Sequence, residues 1–283
     1  MASSDLSVTA FDLNDDALKV ASQKGMQTAT SIEAIFDSDL PPSTIITMLP
    51  GDAAVDSVMS TLASNRNLQE ETTILDCSTV SPATSRQWHA TLAQHNCIFV
   101  DAPVSGGVKG AQDATLTFMV GSDEDTIHNH TNVHSILSHM GQRIIPCGGP
   151  GSGAAVKLCN NLALAAQMVG ICEAMNLGEA LGVDPQVLAD VMNTSTAKSW
   201  SCEVNNPHPE VAIKVGSPAS KDYFGGFGTK LMLKDLGLAV SAGKEAHVAL
   251  PLGNVTKELY QLADLRGLGD KDFGVILQFL RGR

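Results

Sequence analysis

Residues 148–161, GGPGSGAAVKLCNN, divide the 283-residue chain into two kinds of sequence. The glycines close a region in which short apolar runs alternate with helical patterns. After them, residues 154–181 keep a helical rhythm almost free of turn signals, and no convincing strand follows to the C-terminus. Working back from the glycines, strands are expected at 143–146, 116–120, 97–100 ending at Asp101, 73–75 ending at Asp76, 44–49 and 6–13. Helical patterns are expected at 82–94 and 15–24. Alternation of this kind predicts a parallel sheet covered by helices.

The expected fold class is therefore α/β: a Rossmann-type, doubly wound sheet in residues 1–150, followed by an all-α domain in 151–283 that opens with a long interdomain helix. Loops are expected at 205–218 and 250–253. Only nine residues precede Ala10, whereas a βα unit ahead of it needs roughly 25. The sheet is thus expected to be incomplete, lacking the first strand, the GxGxxG loop and the first helix.

Composition narrows the function classes. A formal charge of −12 opposes attraction to nucleic acid phosphates or to an anionic membrane, which leaves small molecules as the expected partners. No apolar run of about 18 residues is present, so no membrane span is expected. The six cysteines, at 77, 97, 147, 159, 172 and 202, include no CxxC pair, which fits a reduced compartment and no metal site. Cys97, Cys159 and Cys172 fall in apolar patterns and read as small hydrophobes. The opening MASSDLSVTAFDLN carries neither a signal-peptide core nor an Arg-rich transit pattern.

In open α/β sheets ligands bind beyond the carboxyl ends of the strands, so Asp12, Pro50, Ser78, Thr79 and residues 101–107 are where chemistry is sought. Asp12 can accept hydrogen bonds from ribose hydroxyls and disfavour a 2′-phosphate; it can equally open the turn before a helix. In DAPVSGG, 101–107, the glycines let backbone N–H groups approach a carboxylate and Ser105 adds a hydroxyl, although a Pro-Gly turn is the simpler alternative. Lys157 and Asn161 lie four apart, hence on one helix face, where a lysine among Ala154, Val156 and Leu158 can exchange a proton with a substrate oxygen. A solvated lysine on an amphipathic helix is the competing reading. Residues 227–236, FGTKLMLKDL, offer Lys234 to a cofactor and Asp235 to a lysine, or form a solvated face.

Together DAPVSGG, then GxGxxxKxxNN at 151–161, then LMxKDL at 231–236 resemble the β-hydroxyacid dehydrogenase family over almost the whole chain. Ser199-Trp200-Ser201, Asn206-Pro207, residues 223–227, Lys271-Asp272-Phe273 and Gln278-Phe279-Leu280 are similar to its 3-hydroxyisobutyrate dehydrogenase branch in particular. The resemblance implies oxidation of 3-hydroxyisobutyrate to methylmalonate semialdehyde in valine breakdown, with NAD taking the hydride. It implies a catalytic Lys157 and Asn161, a substrate-binding Ser105, Gly106 and Gly107, and cofactor contacts at Asp12, Leu49, Pro50, Thr79, Phe227 and Lys234. A polar cofactor contact shortly after Leu49-Pro50 meets Ala54 here. The resemblance further implies a homo-dimer or tetramer in the mitochondrial matrix, with the cytoplasm as the alternative. A sister reductase of tartronate, glyoxylate or succinate semialdehyde, or an inactive truncated form acting only by association, are the other readings.

Overall fold

The computed structural model describes residues 6–36, 41–122, 127 and 131–282, so the first five residues of the opening read above lie outside it. Two compact units are formed, Met1–Lys157 and Leu158–Arg283, and the division falls inside one continuous helix.

The first unit alternates strand and helix. Its elements are β1 (Thr9–Ala10), α1 (Asp15–Gln23), β2 (Gln27–Thr28), β3 (Thr44–Thr47), α2 (Asp52–Ser64), β4 (Thr73–Asp76), α3 (Pro82–Ala93) and β5 (Ile98–Asp101). They continue with β6 (Val104–Ser105), α4 (Gly107–Gln112), β7 (Leu116–Val120), α5 (Thr131–Ser138) and β8 (Gly141–Pro146). Local signals start the helices where the sequence suggests. Asn14 caps α1 by accepting the Asp16 N–H, and Ser81 caps α3 by accepting the Thr84 N–H, with Pro82 in the first turn where no N–H is needed.

β3, β4 and β5 pair in parallel, and successive residues of β4 face opposite sides. Ile74 packs with Val55, Met59 and Leu62 of α2 and Trp88 and Leu92 of α3. Its neighbour Leu75 packs with Phe118, Val120, Val133 and Leu137 on the other side. A sheet buried on both faces is the reason these strands read as continuous apolar runs.

The incomplete sheet expected from the sequence forms as separate ladders, parallel except for one pair. Among the described residues the ladder falls into three pieces, β1-β2, β3-β4-β5 and β6-β7-β8. The expected strand at 6–13 is accordingly reduced to Thr9–Ala10, because a neighbour on only one side supports little ladder. β6 runs antiparallel to β7, and neither it nor β2 was expected, since two-residue strands leave no periodicity to read.

The second unit is helical. α6 (Ser152–Ala180) enters it from the first unit, and α7 (Pro185–Thr194), α8 (Trp200–Glu203), α9 (Pro209–Val215), α10 (Thr229–Glu245), α11 (Pro251–Ala263) and α12 (Ile276–Leu280) follow. Met168, Cys172 and Met175 of α6 are buried with Met232, Leu236, Tyr260, Phe273, Ile276 and Leu277. Two expected loops are corrected: α9 lies within 205–218, and Pro251 begins α11, because proline serves a helix's first turn as readily as a loop. α6 is also long and apolar enough, by length and composition, to cross a membrane. Lys157, Asn160 and Asn161 interrupt its apolar run, so no uninterrupted span of that length stands out in the sequence. Six α6 residues are nevertheless built into the second unit's core.

Candidate active site

The carboxyl ends of β3, β4 and β5 set three polar residues side by side, with Thr47 in register with Asp76 and Asp76 with Asp101. The Thr47 hydroxyl donates to Asp76 Oδ1 at 2.8 Å, and the Ser78 N–H donates to the same oxygen at 3.1 Å. Ser78 Oγ in turn accepts the Leu49 N–H at 2.9 Å, so the turns carrying Leu49-Pro50 and Ser78-Thr79 are tied to one another. Asp76 is only 1% exposed and its Oδ2 has no hydrogen-bond partner. Burial pushes its carboxyl above the ordinary 3.8; the bonds from Ser78 and Thr47 oppose that, and the neighbouring Asp101 adds to it.

Asp101 has a different task. Its Oδ1 accepts the Gly151 N–H at 2.8 Å and its Oδ2 the Ala154 N–H at 2.9 Å, so this β5 carboxyl group caps the start of α6. The glycines around it are there for space. A Cβ on Gly121 would stand 1.9 Å from Asp101 Oδ1, and one on Gly153 would stand 2.2 Å from the Met119 carbonyl oxygen and 2.9 Å from Asp101 Oδ2. Gly151 also holds φ +83°, which side chains rarely adopt. The 148–153 run is thus the seat of a strand-to-helix clamp, a role its sequence did not disclose.

Four residues beyond Asp101, Ser105 lies in β6 opposite Thr117, and the chain then turns through Gly106 at φ 140° and Gly107 at φ 64° into α4. The segment expected as a loop is therefore a strand-to-helix corner. Its two exposed glycines leave the backbone open to close approach, while Ser105 is half-buried beside them. Lys157, the last residue of the first unit, is 9% exposed on α6, which overturns the solvated-face alternative.

In the second unit Asn161 is 2% exposed, and its Nδ2 donates to Asp235 Oδ2 at 2.5 Å. Because a carboxylate only accepts, this bond fixes which way the amide points. Its Oδ1 accepts from Asn160 Nδ2 at 3.0 Å. Lys234 Nζ stands 3.0 Å from Asp235 Oδ1, an ion pair whose angles fall short of a hydrogen bond. The pairing of Asp235 with a lysine agrees with the sequence, but its hold on Asn161 was not anticipated, since the two are 74 positions apart. Phe227 is fixed by its N–H, which donates to Asp272 Oδ2 at 2.9 Å, and by an edge-on packing against Phe273. Asp272 is itself buried, which raises its pKa against the bonds it accepts from Gly274, Phe227 and Asn205.

Similarity to known proteins bears on this arrangement. Residues 1–149 match the family model for the NAD binding domain of 6-phosphogluconate dehydrogenase, and residues 151–280 that for NAD-binding of NADP-dependent 3-hydroxyisobutyrate dehydrogenase. The probable mitochondrial 3-hydroxyisobutyrate dehydrogenase of Dictyostelium discoideum is 42% identical over 95% of this chain and 82% of its own length. The chain belongs to the 3-hydroxyisobutyrate dehydrogenase family. The mitochondrial 3-hydroxyisobutyrate dehydrogenase of Homo sapiens is 37% identical over 96% of this chain and 79% of its own. The Mycobacterium tuberculosis 3-hydroxyisobutyrate dehydrogenase structure with L-serine superimposes with a TM-score of 0.87 at 38% identity, covering 98% of this chain and 91% of that one.

The 3-hydroxyisobutyrate dehydrogenase family is a family of oxidoreductases with NAD-binding domains, and the α/β class followed by a helical domain is the one read from the sequence. The remaining expected residues are placed as follows. Asp12 is exposed past β1, where its Oδ1 accepts the Asn14 N–H at 2.8 Å, so it does open the turn before α1. Leu49 and Thr79 are half-buried and Pro50 is exposed. Cys159 corrects the sequence reading: it is exposed on α6, because the apolar surface of that helix extends beyond the face its own unit buries. Two surface cavities, of about 290 Å³ around Glu33, Thr61 and Arg66 and about 320 Å³ around Cys159, Leu162 and Leu250, contain none of the candidate site residues. Among the described residues no group of three or more His, Cys, Asp or Glu side chains could hold a metal ion.

Proposed function

We propose that this chain oxidises 3-hydroxyisobutyrate to methylmalonate semialdehyde with NAD as acceptor, and that Lys157 takes the hydroxyl proton. The observation that carries the reading is a buried lysine on α6, followed four residues later by an asparagine whose amide Asp235 orients.

Ser105, Gly106 and Gly107 hold the substrate carboxylate, which fixes the face of the carbon that reacts. Asn161 positions the hydroxyl oxygen. Lys157, neutral at that moment, accepts the proton as the C–O bond becomes a carbonyl. The nicotinamide, when bound, supplies the acceptor for the hydride leaving the same carbon.

The residues present suit such a cofactor at several points. Asp12 uses one oxygen to hold its own turn and stays exposed, as a ribose partner must. Gly51 precedes α2 with no side-chain cap, directly after Leu49 and Pro50. The first-turn acid of α2, Asp52, is occupied with the Ser81 N–H and the Thr84 hydroxyl. Thr79, Phe227 and Lys234 are assigned to the same cofactor. The Asp12 carboxylate favours NAD over NADP by repelling a 2′-phosphate.

We further assign the chain to the mitochondrial matrix and to a homo-oligomer, dimer or tetramer. The mitochondrial relatives support the first, and exposed Leu177, Val187 and Val191 the second. The test is a steady-state panel of 3-hydroxyisobutyrate and of tartronate, glyoxylate and succinate semialdehydes with NAD or NADP, reduced or oxidised as the direction requires. The highest kcat/KM is expected for 3-hydroxyisobutyrate with NAD. A semialdehyde preferred by tenfold or more would assign the chain to a sister reductase.

A further inference from the structure

We propose that Asp101 is a positioning residue for proton transfer: its carboxyl group fixes the start of α6, and with it Lys157, to the strand from which residues 105–107 depart. This rests on the proton-acceptor role given to Lys157 above.

A helix cap ordinarily precedes its helix in the chain by one position, and then it only starts the helix. Here the cap comes from 50 and 53 positions away, so its two bonds locate the helix as well as start it. Asp101 cannot follow a drifting helix, because its main chain is anchored on both sides. Its carbonyl accepts the Gly121 N–H at 2.7 Å, and the next residue, Ala102, donates to the Asp76 carbonyl at 2.8 Å. Gly121 and Gly153 are kept free of side chains by the close approach this requires, and Gly151 lies against the Pro82 carbonyl and the Arg86 side chain.

The lever arms are short. Ala154 precedes Lys157 by three residues, a rise of about 4.5 Å along the helix. Ser105 follows Asp101 by four and is independently held by its pairing with Thr117. One carboxyl group therefore sets the register between the segment assigned to the substrate carboxylate and the lysine assigned to the proton. Removing it leaves the segment in place and frees the lysine.

The test is Asp101→Asn in the full chain, which keeps the size but sets an amide N–H₂ against one of the two N–H groups. Turnover per NAD-binding site, counted by equilibrium titration, should fall about 10- to 100-fold, as a displacement of order 1 Å implies. KM for the hydroxyacid should stay within about threefold, since the segment holding it is intact. Amide hydrogen exchange across residues 151–157 should accelerate while that of β7 does not. If Asp101→Asn does not fold, Asp101→Ser, whose hydroxyl can accept one of the two bonds, carries the same expectations. Wild-type exchange across 151–157, or wild-type turnover per NAD-binding site, overturns the proposal and leaves only a structural cap. Lys157→Ala run in parallel separates the two claims: wild-type turnover there defeats the proton-acceptor reading, whereas slow exchange in the Asp101 variant defeats this one alone.

Discussion

Gly153→Ala should destabilise the first unit, although the same exchange in an open helix interior stabilises. Relative to glycine, alanine gains ~1 kcal/mol of helix propensity. Against that, the new Cβ would stand 2.2 Å from the Met119 carbonyl oxygen and 2.9 Å from Asp101 Oδ2, and the first of these is backbone that cannot rotate away. Overpacking of this kind costs about 1–3 kcal/mol, and displacing the Ala154 N–H from a carboxylate costs a further ~1.5–3 kcal/mol. The net is a loss of about 1.5–5 kcal/mol, which for a unit of this size lowers Tm by roughly 3–20 °C. Gly237→Ala on α10 is the control, because nothing lies within 4 Å of its would-be Cβ, and it should leave Tm unchanged or raise it by about a few degrees. Differential scanning calorimetry of the three proteins reads both effects. If Gly153→Ala melts at or above wild type, the close approach of α6 to β7 and Asp101 is wrong.

Asp76 predicts a pH dependence of stability. Its folded pKa is raised by burial, so the stabilisation linked to its proton is complete below the ordinary 3.8 and is lost as pH rises through the folded value. Wild type should therefore lose stability relative to Asp76→Asn as pH rises from the ordinary 3.8 through the raised folded value, as urea titrations of both proteins at stepped pH would show, and parallel curves for the two proteins would refute it. Asp235→Ala should lower kcat by about 10-fold or more by releasing the Asn161 amide, while Asp235→Asn, which can still offer an oxygen to that amide, should be milder. Steady-state kinetics of the pair decide this, and equal effects of the two variants would show that charge, rather than amide orientation, is what Asp235 contributes.

The sequence displayed the fold wherever hydrophobic periodicity was long enough to be read. β4, β5 and β7, each four or five apolar-rich residues, and the 29-residue α6 stood out. β2 and β6, at two residues each, did not. The site was legible to the extent that it is local. Lys157 and Asn161 share a helix, and residues 101–107 are contiguous. Asp101 and Asp235 were both in view, but their partners lie 50 to 74 positions away, and no spacing rule reaches that far. The glycine run at 148–153 was read as a boundary because close packing against a strand leaves the same residues as a turn does.

The central claim is that Lys157 accepts the substrate's hydroxyl proton, and turnover of full-length Lys157→Ala at saturating 3-hydroxyisobutyrate and NAD tests it most directly. The account predicts that kcat falls by roughly 10²- to 10⁴-fold, the usual worth of a positioned base, with KM changed only a few-fold. A Lys157→Ala protein that turns over at the wild-type rate would contradict it.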